Sequence, residues 1–443
     1  MSILQDLDGP FPFGRTDLAA DRLTVGARHT VAHFVRWRDR NQDAIAGHVD
    51  RYTRHLETLV PRSGLASAVR YRVLPRSRRR ERYREIAREV NYFGVFNLGE
   101  VPDPALVAAI VDGFGGRVPS VTGILADLDG HRGAAGVVES LERHLPVLAE
   151  VPDTRWLGER LDRLHRILPE SVVRAGGMGK AVRALAGVLV IGAFDTLDAD
   201  PAARREHLAR IVPAAYALGA AYVIVDDTLQ DLPGGHVSPA DRDWCHRAIL
   251  HGLTTGEAVD VVGMPDHPVA EELHELYGML RESHPFAEHR HLYQAAEAMY
   301  LAQHRDAART VADVEAGGLA AMYPDLLVKA GVSRVVANAV GRRRLPDGAL
   351  ARCLNTILLG QFRDDLRDRD EDRDAGRVTP FTVPPDLLDA DPLHDLFAYD
   401  AYVASEVFGG DPTAAETLVS VGAVKLANHL SADPGRAEEL LRD

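Results

Sequence analysis

VIVDDTLQD places Asp226, Asp227 and Asp231 where an apolar helical run turns acidic, and GQFRDDLRDRDED repeats the pattern with Asp364, Asp365 and Asp368. Asp227 and Asp231 stand four residues apart, as do Asp364 and Asp368, so on a helix each pair shares one face. Carboxylates gathered at a helix C-terminus repel one another and oppose the helix dipole. A hard divalent cation removes that cost, and Mg²⁺, which keeps waters and bridges to phosphate oxygens, suits such ligands. For either motif alone the plain alternative is a solvated acidic helix end, laced with arginine pairs in the second. Taken together, two acidic helix ends facing each other across a bundle would clamp a Mg²⁺–diphosphate unit.

Around these motifs lie Gly179-Lys180 with Arg183, Gln303 in AQHRD, Lys329 in LLVKAG, Gln361 ahead of Asp364, and Gly376-Arg377-Val378-Thr379-Pro380. In this order the stretch from about residue 170 to 443 resembles the trans-polyprenyl diphosphate synthase family, within the class I isoprenoid synthases. The resemblance implies an all-α fold, a helical bundle around a central cavity, preceded here by an additional N-terminal helical region. It implies Mg²⁺, three ions in the family with Mn²⁺ an alternative, held by Asp226, Asp227, Asp231, Asp364, Asp365 and Asp368. Lys180, Arg183, Gln303, Lys329, Gln361 and Arg377 then become the candidate diphosphate contacts. Asp226, Asp227, Asp364, Asp365 and Lys329 are the candidate catalytic groups. A homodimer is the candidate assembly, since relatives commonly dimerise.

The sequence also departs from the family. The first motif reads DD-x-x-x-D, with Gln230 where the shorter family form has its third Asp. The Arg pair that follows this motif in chain-elongating members is missing from LPGGHVSPADR, and Gly219 occupies the place of a family His. Those groups hold a second, homoallylic diphosphate, whose charge would otherwise lack compensation. The expected activity is therefore ionisation of one allylic C10–C20 prenyl diphosphate followed by cyclisation or rearrangement, as in terpene synthases. One alternative is a chain-elongating trans-prenyltransferase that condenses this substrate with isopentenyl diphosphate. Another is a non-catalytic partner subunit of a prenyl synthase, against which the retained, mutually repelling carboxylates argue. Tyr222, four residues before Asp226, is the candidate residue limiting cavity depth.

The elements that must position these groups are helices. The 443 residues are 46% hydrophobic, poor in aromatics and rich in Ala, Leu, Arg, Glu and Asp, and no alternating strand pattern appears. Helices are predicted at 18–59, 78–90, 105–115, 134–148 and 155–168. Beyond these the pattern predicts an apolar helix after Gly176–Lys180, then 208–231, 244–252, 270–282, 291–315, 324–339, 348–368, 396–408 and 414–430. The domain expectation is an N-terminal helical extension over 1–165 and a catalytic domain over 166–443. A net charge of −14 disfavours nucleic acid as a partner. Nine arginines lie between Arg70 and Arg88; the stretch SRRRERYREIAREV reads as a solvated helix face, with an anionic membrane contact or a cap over the site as alternatives. Two cysteines, no basic-then-apolar leader in MSILQDLDGPFPFG, and apolar runs (184–194 and 211–225) shorter than the ~18 residues of a span point to a cytoplasmic protein without transmembrane segments.

Overall fold

The computed structural model describes residues 19–59, 134–229, 237–258, 263–345 and 349–412, with isolated positions up to 426; the helices expected at 78–90 and 105–115 and most of 414–430 lie outside these. Among the described residues the structure is all-α, with no strand. The helices are α1 (Ala20–Arg40), α2 (Gln42–Leu59), α3 (Ala134–His144), α4 (Arg155–Ile167), α5 (Glu170–Arg174), α6 (Gly177–Asp195), α7 (Pro201–Val223) and α8 (Pro239–Thr255). They continue as α9 (Pro268–Ser283), α10 (Arg290–Ala307), α11 (Val311–Gly317), α12 (Tyr323–Gly341), α13 (Ala349–Thr356), α14 (Leu358–Arg367), α15 (Arg369–Asp374) and α16 (Pro392–Tyr402).

Several long predicted helices are broken, each for a local reason. The first divides at Asn41, whose side-chain amide turns back to the Trp37 carbonyl at 2.7 Å. The helix expected over 291–315 divides at Thr310, which forms a capping box with Asp313 and restarts the chain as α11. At α7 the start is set by Asp200, which accepts from the Ala202 and Ala203 N–H groups at 3.0 Å, with Pro201 in the first turn. The far end of α7 widens into a π-helical turn, Ile224–Thr228, which contains Asp226 and Asp227. That turn is absent from a reading by ordinary helical spacing, and such turns concentrate at functional sites.

Helix α12 is the centre of the bundle, packed by α1, α6, α7, α10, α13 and α14. Helices α6 and α12 approach closely where Gly192 and Gly341 meet. A Cβ at Gly341 would stand 2.7 Å from Ile191 and 2.9 Å from the Val188 carbonyl. One apolar core runs from Leu23 on α1 to Leu418 and includes Phe34, Tyr216, Tyr293, Tyr323, Phe362 and Tyr399. Core residues lie on both sides of residue 165. Phe34 of α1 packs edge-on against Tyr399 with ring centroids 4.9 Å apart, and Arg38 reaches the buried Asp395 of α16 at 2.8 Å. Helices α6 and α7, the latter continued to Thr228, are long and apolar enough to cross a membrane, with 67% and 61% of the tested windows buried inside the bundle. An apolar surface on all sides is what a helix at the centre of a bundle requires.

Candidate functional site

A cavity of about 1120 Å³ opens between α6, α7, α10, α12 and α14. It lies just above the roughly 300–1,000 Å³ usual for small-molecule sites. One end is polar and carries Lys180, Asp226, Gln303, Asp306, Lys329, Gln361, Asp364, Asp365, Asp368, Asp372 and Arg377. The remaining walls are mostly apolar, among them Val190, Phe194, Leu253, Leu276, Leu280 and Leu292, with Arg183 and Arg334 also on the wall.

At the polar end each charge has a named neighbour. Lys180 bonds Asp227 at 2.7 Å and stands 3.6 Å from Asp226, which also accepts from the Gln303 amide at 2.7 Å. Lys329 bonds Asp306 at 2.9 Å, Gln361 donates to Asp365 at 2.6 Å, and Arg377 lies 3.6 Å from Asp372. Asp364 and Asp368 pair with Arg367 at 2.5 and 2.6 Å. Burial opposes the charges on Lys180 and Lys329, yet the surrounding aspartates outweigh it and both pKa values are raised. The carboxylates bear the complementary cost. Burial, against the pull of Lys329 and Gln361, lifts Asp365 to about 8 and, against Arg377, lifts Asp372 to about 6. Asp227 is also raised, by burial and by the adjacent Asp226.

The donor set suits a hard cation. One oxygen each of Asp227 and Asp365 is buried without a hydrogen-bond partner, and a buried carboxylate oxygen in that state is costly. Among the described residues no three His, Cys, Asp or Glu side chains are grouped to hold a metal ion unaided. Mg²⁺ takes few protein ligands and fills its remaining positions with water and phosphate oxygens, so paired carboxylates match its habit.

The predicted site residues Lys180, Arg183, Tyr222, Asp226, Gln303, Lys329, Gln361, Asp364, Asp365, Asp368 and Arg377 line this one cavity, and Asp227 joins them through Lys180. Asp231 lies outside the described residues. Tyr222 lines the cavity. It stands beside Asp226, Lys180, Lys329 and Asp364. Its side chain is 45% exposed, but to the cavity: burial, with Asp226 next, pushes the hydroxyl up to about 12. Gly219 has no room for a side chain. A Cβ there would lie 2.4 Å from the Ala181 carbonyl oxygen, so the α6–α7 contact leaves no space for a side chain.

No protein-family model matches this chain, and no curated protein or solved structure matches it either.

Two contributors, Asp306 and Arg334, escaped the sequence reading. Asp306 follows Gln303 by three residues, one turn along the same helical face, and that spacing was the available signal. Arg334 is a charge inside the apolar α12. It faces the cavity without an ion pair among the described residues, and burial lowers its pKa. Arg183 lines the same wall, bonding the Gly179 carbonyl at 3.3 Å.

Proposed function

We propose that the protein is a Mg²⁺-dependent class I isoprenoid synthase that ionises an allylic prenyl diphosphate and cyclises or rearranges the resulting cation. The observation that carries this reading is the shared cavity, where two acidic motifs distant in sequence meet at one end and mostly apolar walls form the rest. Asp226 and Asp227 on one side, and Asp364, Asp365 and Asp368 on the other, are the residues to hold metal. Bound Mg²⁺ would supply positive charge to a departing diphosphate.

The chain's own side chains do the rest. Lys180, Lys329 and Arg377 already stand at the acidic end, where an incoming diphosphate can exchange places with their present aspartate partners. Gln303 orients Asp226, and Gln361 orients Asp365. Preorganised charge of this kind stabilises the leaving group as its bond to carbon breaks. The apolar walls exclude water, which would otherwise capture the cation. The chain-elongating alternative draws on Arg183 and Arg334, whose guanidinium groups on the cavity wall offer charge to a second anion.

Purified protein with Mg²⁺ is to be incubated with geranyl, farnesyl or geranylgeranyl diphosphate, each with and without isopentenyl diphosphate. Hydrocarbon from a single substrate is expected. Longer diphosphates formed only when isopentenyl diphosphate is present would overturn the cyclisation reading in favour of elongation.

A further inference from the structure

A tyrosine on the cavity wall is paired with a histidine behind it, and diphosphate ionisation leaves the pair unused. Three tyrosines line the cavity among the described residues: Tyr222, Tyr277 and Tyr300. Tyr222 stands at the acidic end, and the Tyr277 hydroxyl is committed to the Ile249 carbonyl at 3.1 Å. Tyr300 differs, because its hydroxyl is hydrogen-bonded to Nδ1 of His246 on the neighbouring α8. A second imidazole, His304, lies one turn further along α10. It stacks on Tyr300 at 6.5 Å and meets His246 edge-on at 5.1 Å. Tyr300 is buried, His246 is partly exposed and His304 is exposed, so the three rings lead from the cavity to solvent. The groups acting on the His246 charge are His304, Arg242 and Asp243; burial and the first two lower its pKa, which keeps the ring neutral and able to accept a proton.

Tyr300 precedes Gln303 on α10 by one turn, about 4.5 Å of axial rise. It therefore lies just below the level where Gln303 meets Asp226, beside the hydrocarbon portion of any substrate bound by its diphosphate.

Resting on the reading of the cavity as a carbocation site, we propose that Tyr300 and His246 form a proton relay that ends the reaction. A C–H bond adjacent to the cationic carbon breaks, and its electron pair forms the new C=C bond. The released proton passes to the Tyr300 oxygen while the Tyr300 proton moves to Nδ1 of His246, in the Nε2–H tautomer. The imidazolium then returns its proton to solvent on the His304 side. A carbocation is acidic enough for this neutral pair to serve as its base. Positioned proton transfer of this type contributes about 10²–10⁴-fold.

The test separates this step from ionisation. Wild type, Tyr300→Phe and His246→Ala are supplied with Mg²⁺ and each of the three all-trans diphosphates. Hydrocarbon yield is measured per diphosphate released, and His246→Ala is repeated with added imidazole. Both variants are expected to lose the main hydrocarbon by tenfold or more per diphosphate released, with water-captured alcohol or isomeric alkenes in its place. Imidazole is expected to restore the wild-type product to His246→Ala, which a packing role would not allow. Unchanged hydrocarbon yield in both variants overturns the relay alone. No diphosphate release by wild type from any substrate overturns the reading beneath it.

Discussion

Arg38 on α1 offers the sharpest test of how the N-terminal helices are built into the molecule. Its guanidinium donates to both oxygens of Asp395 at 2.8 and 3.0 Å, and the Tyr323 hydroxyl donates to the same carboxylate at 2.6 Å. Asp395 is fully buried, and Arg38 is 15% exposed. Arg38→Met keeps much of the aliphatic stem and strands the carboxylate with Tyr323 as its main remaining partner. Breaking a buried pair from one side costs roughly 3–5 kcal/mol. The retained Tyr323 bond and the partial exposure of Arg38 place this case at about 3 kcal/mol. Asp395→Asn in the same chain removes the stranded charge and should recover about 1–2 kcal/mol of that loss. The assay is urea unfolding of wild type, Arg38→Met and the double variant, fitted for midpoint and slope. A loss below about 1 kcal/mol, the range of an exposed surface pair, would show that α1 is an appendage. A further loss on adding Asp395→Asn would contradict the stranded-charge account. The consequence reaches the site, because Tyr323 packs edge-on against Phe362 of α14 at 4.9 Å, and α14 carries Asp364 and Asp365.

Three further outcomes follow from the geometry. Gly219→Ala sets a methyl against the Ala181 carbonyl and should cost about 1–3 kcal/mol in chemical unfolding; a neutral effect would mean that α6 and α7 separate freely there. His284 is buried, and desolvation together with His289 and Arg210 lowers its pKa to about 3, whereas an unfolded His titrates near 6.5. The unfolded chain therefore binds the extra proton below 6.5, and stability should fall by about 1.4 kcal/mol per pH unit from 6 towards 4 on this account; His284→Asn should flatten that slope, and an unchanged slope would refute the assignment. Tyr222→Ala removes the ring beside Asp226 and Lys329 and should shift the preferred prenyl chain length, read by competing C10, C15 and C20 substrates; an identical preference would show that Tyr222 does not shape the cavity.

The polar end of the cavity was legible in the sequence because its chemistry is written in residue type and spacing. Asp226, Asp227, Asp364 and Asp365 form dense acidic clusters, while Lys180 and Lys329 are rare charges in apolar helices. The all-α class was legible for a related reason, since a 3.6-residue period needs no knowledge of neighbours. Partners that meet only in the folded chain were not legible. Lys329 finds Asp306 from a different helix, and the His246–Tyr300 pair joins α8 to α10. The π-helical turn at Asp226 and the restart at Thr310 depend on hydrogen bonds that periodicity averages away.

Whether cations join a diphosphate to the two acidic clusters is tested most directly by calorimetric titration of the full chain with inorganic diphosphate. The titration is run with Mg²⁺, with excess chelator, and on Asp226→Ala and Asp364→Ala. Binding is expected only with Mg²⁺ and should weaken by tenfold or more in each variant. Equal binding in chelator, or full binding by both variants, would contradict the clamp.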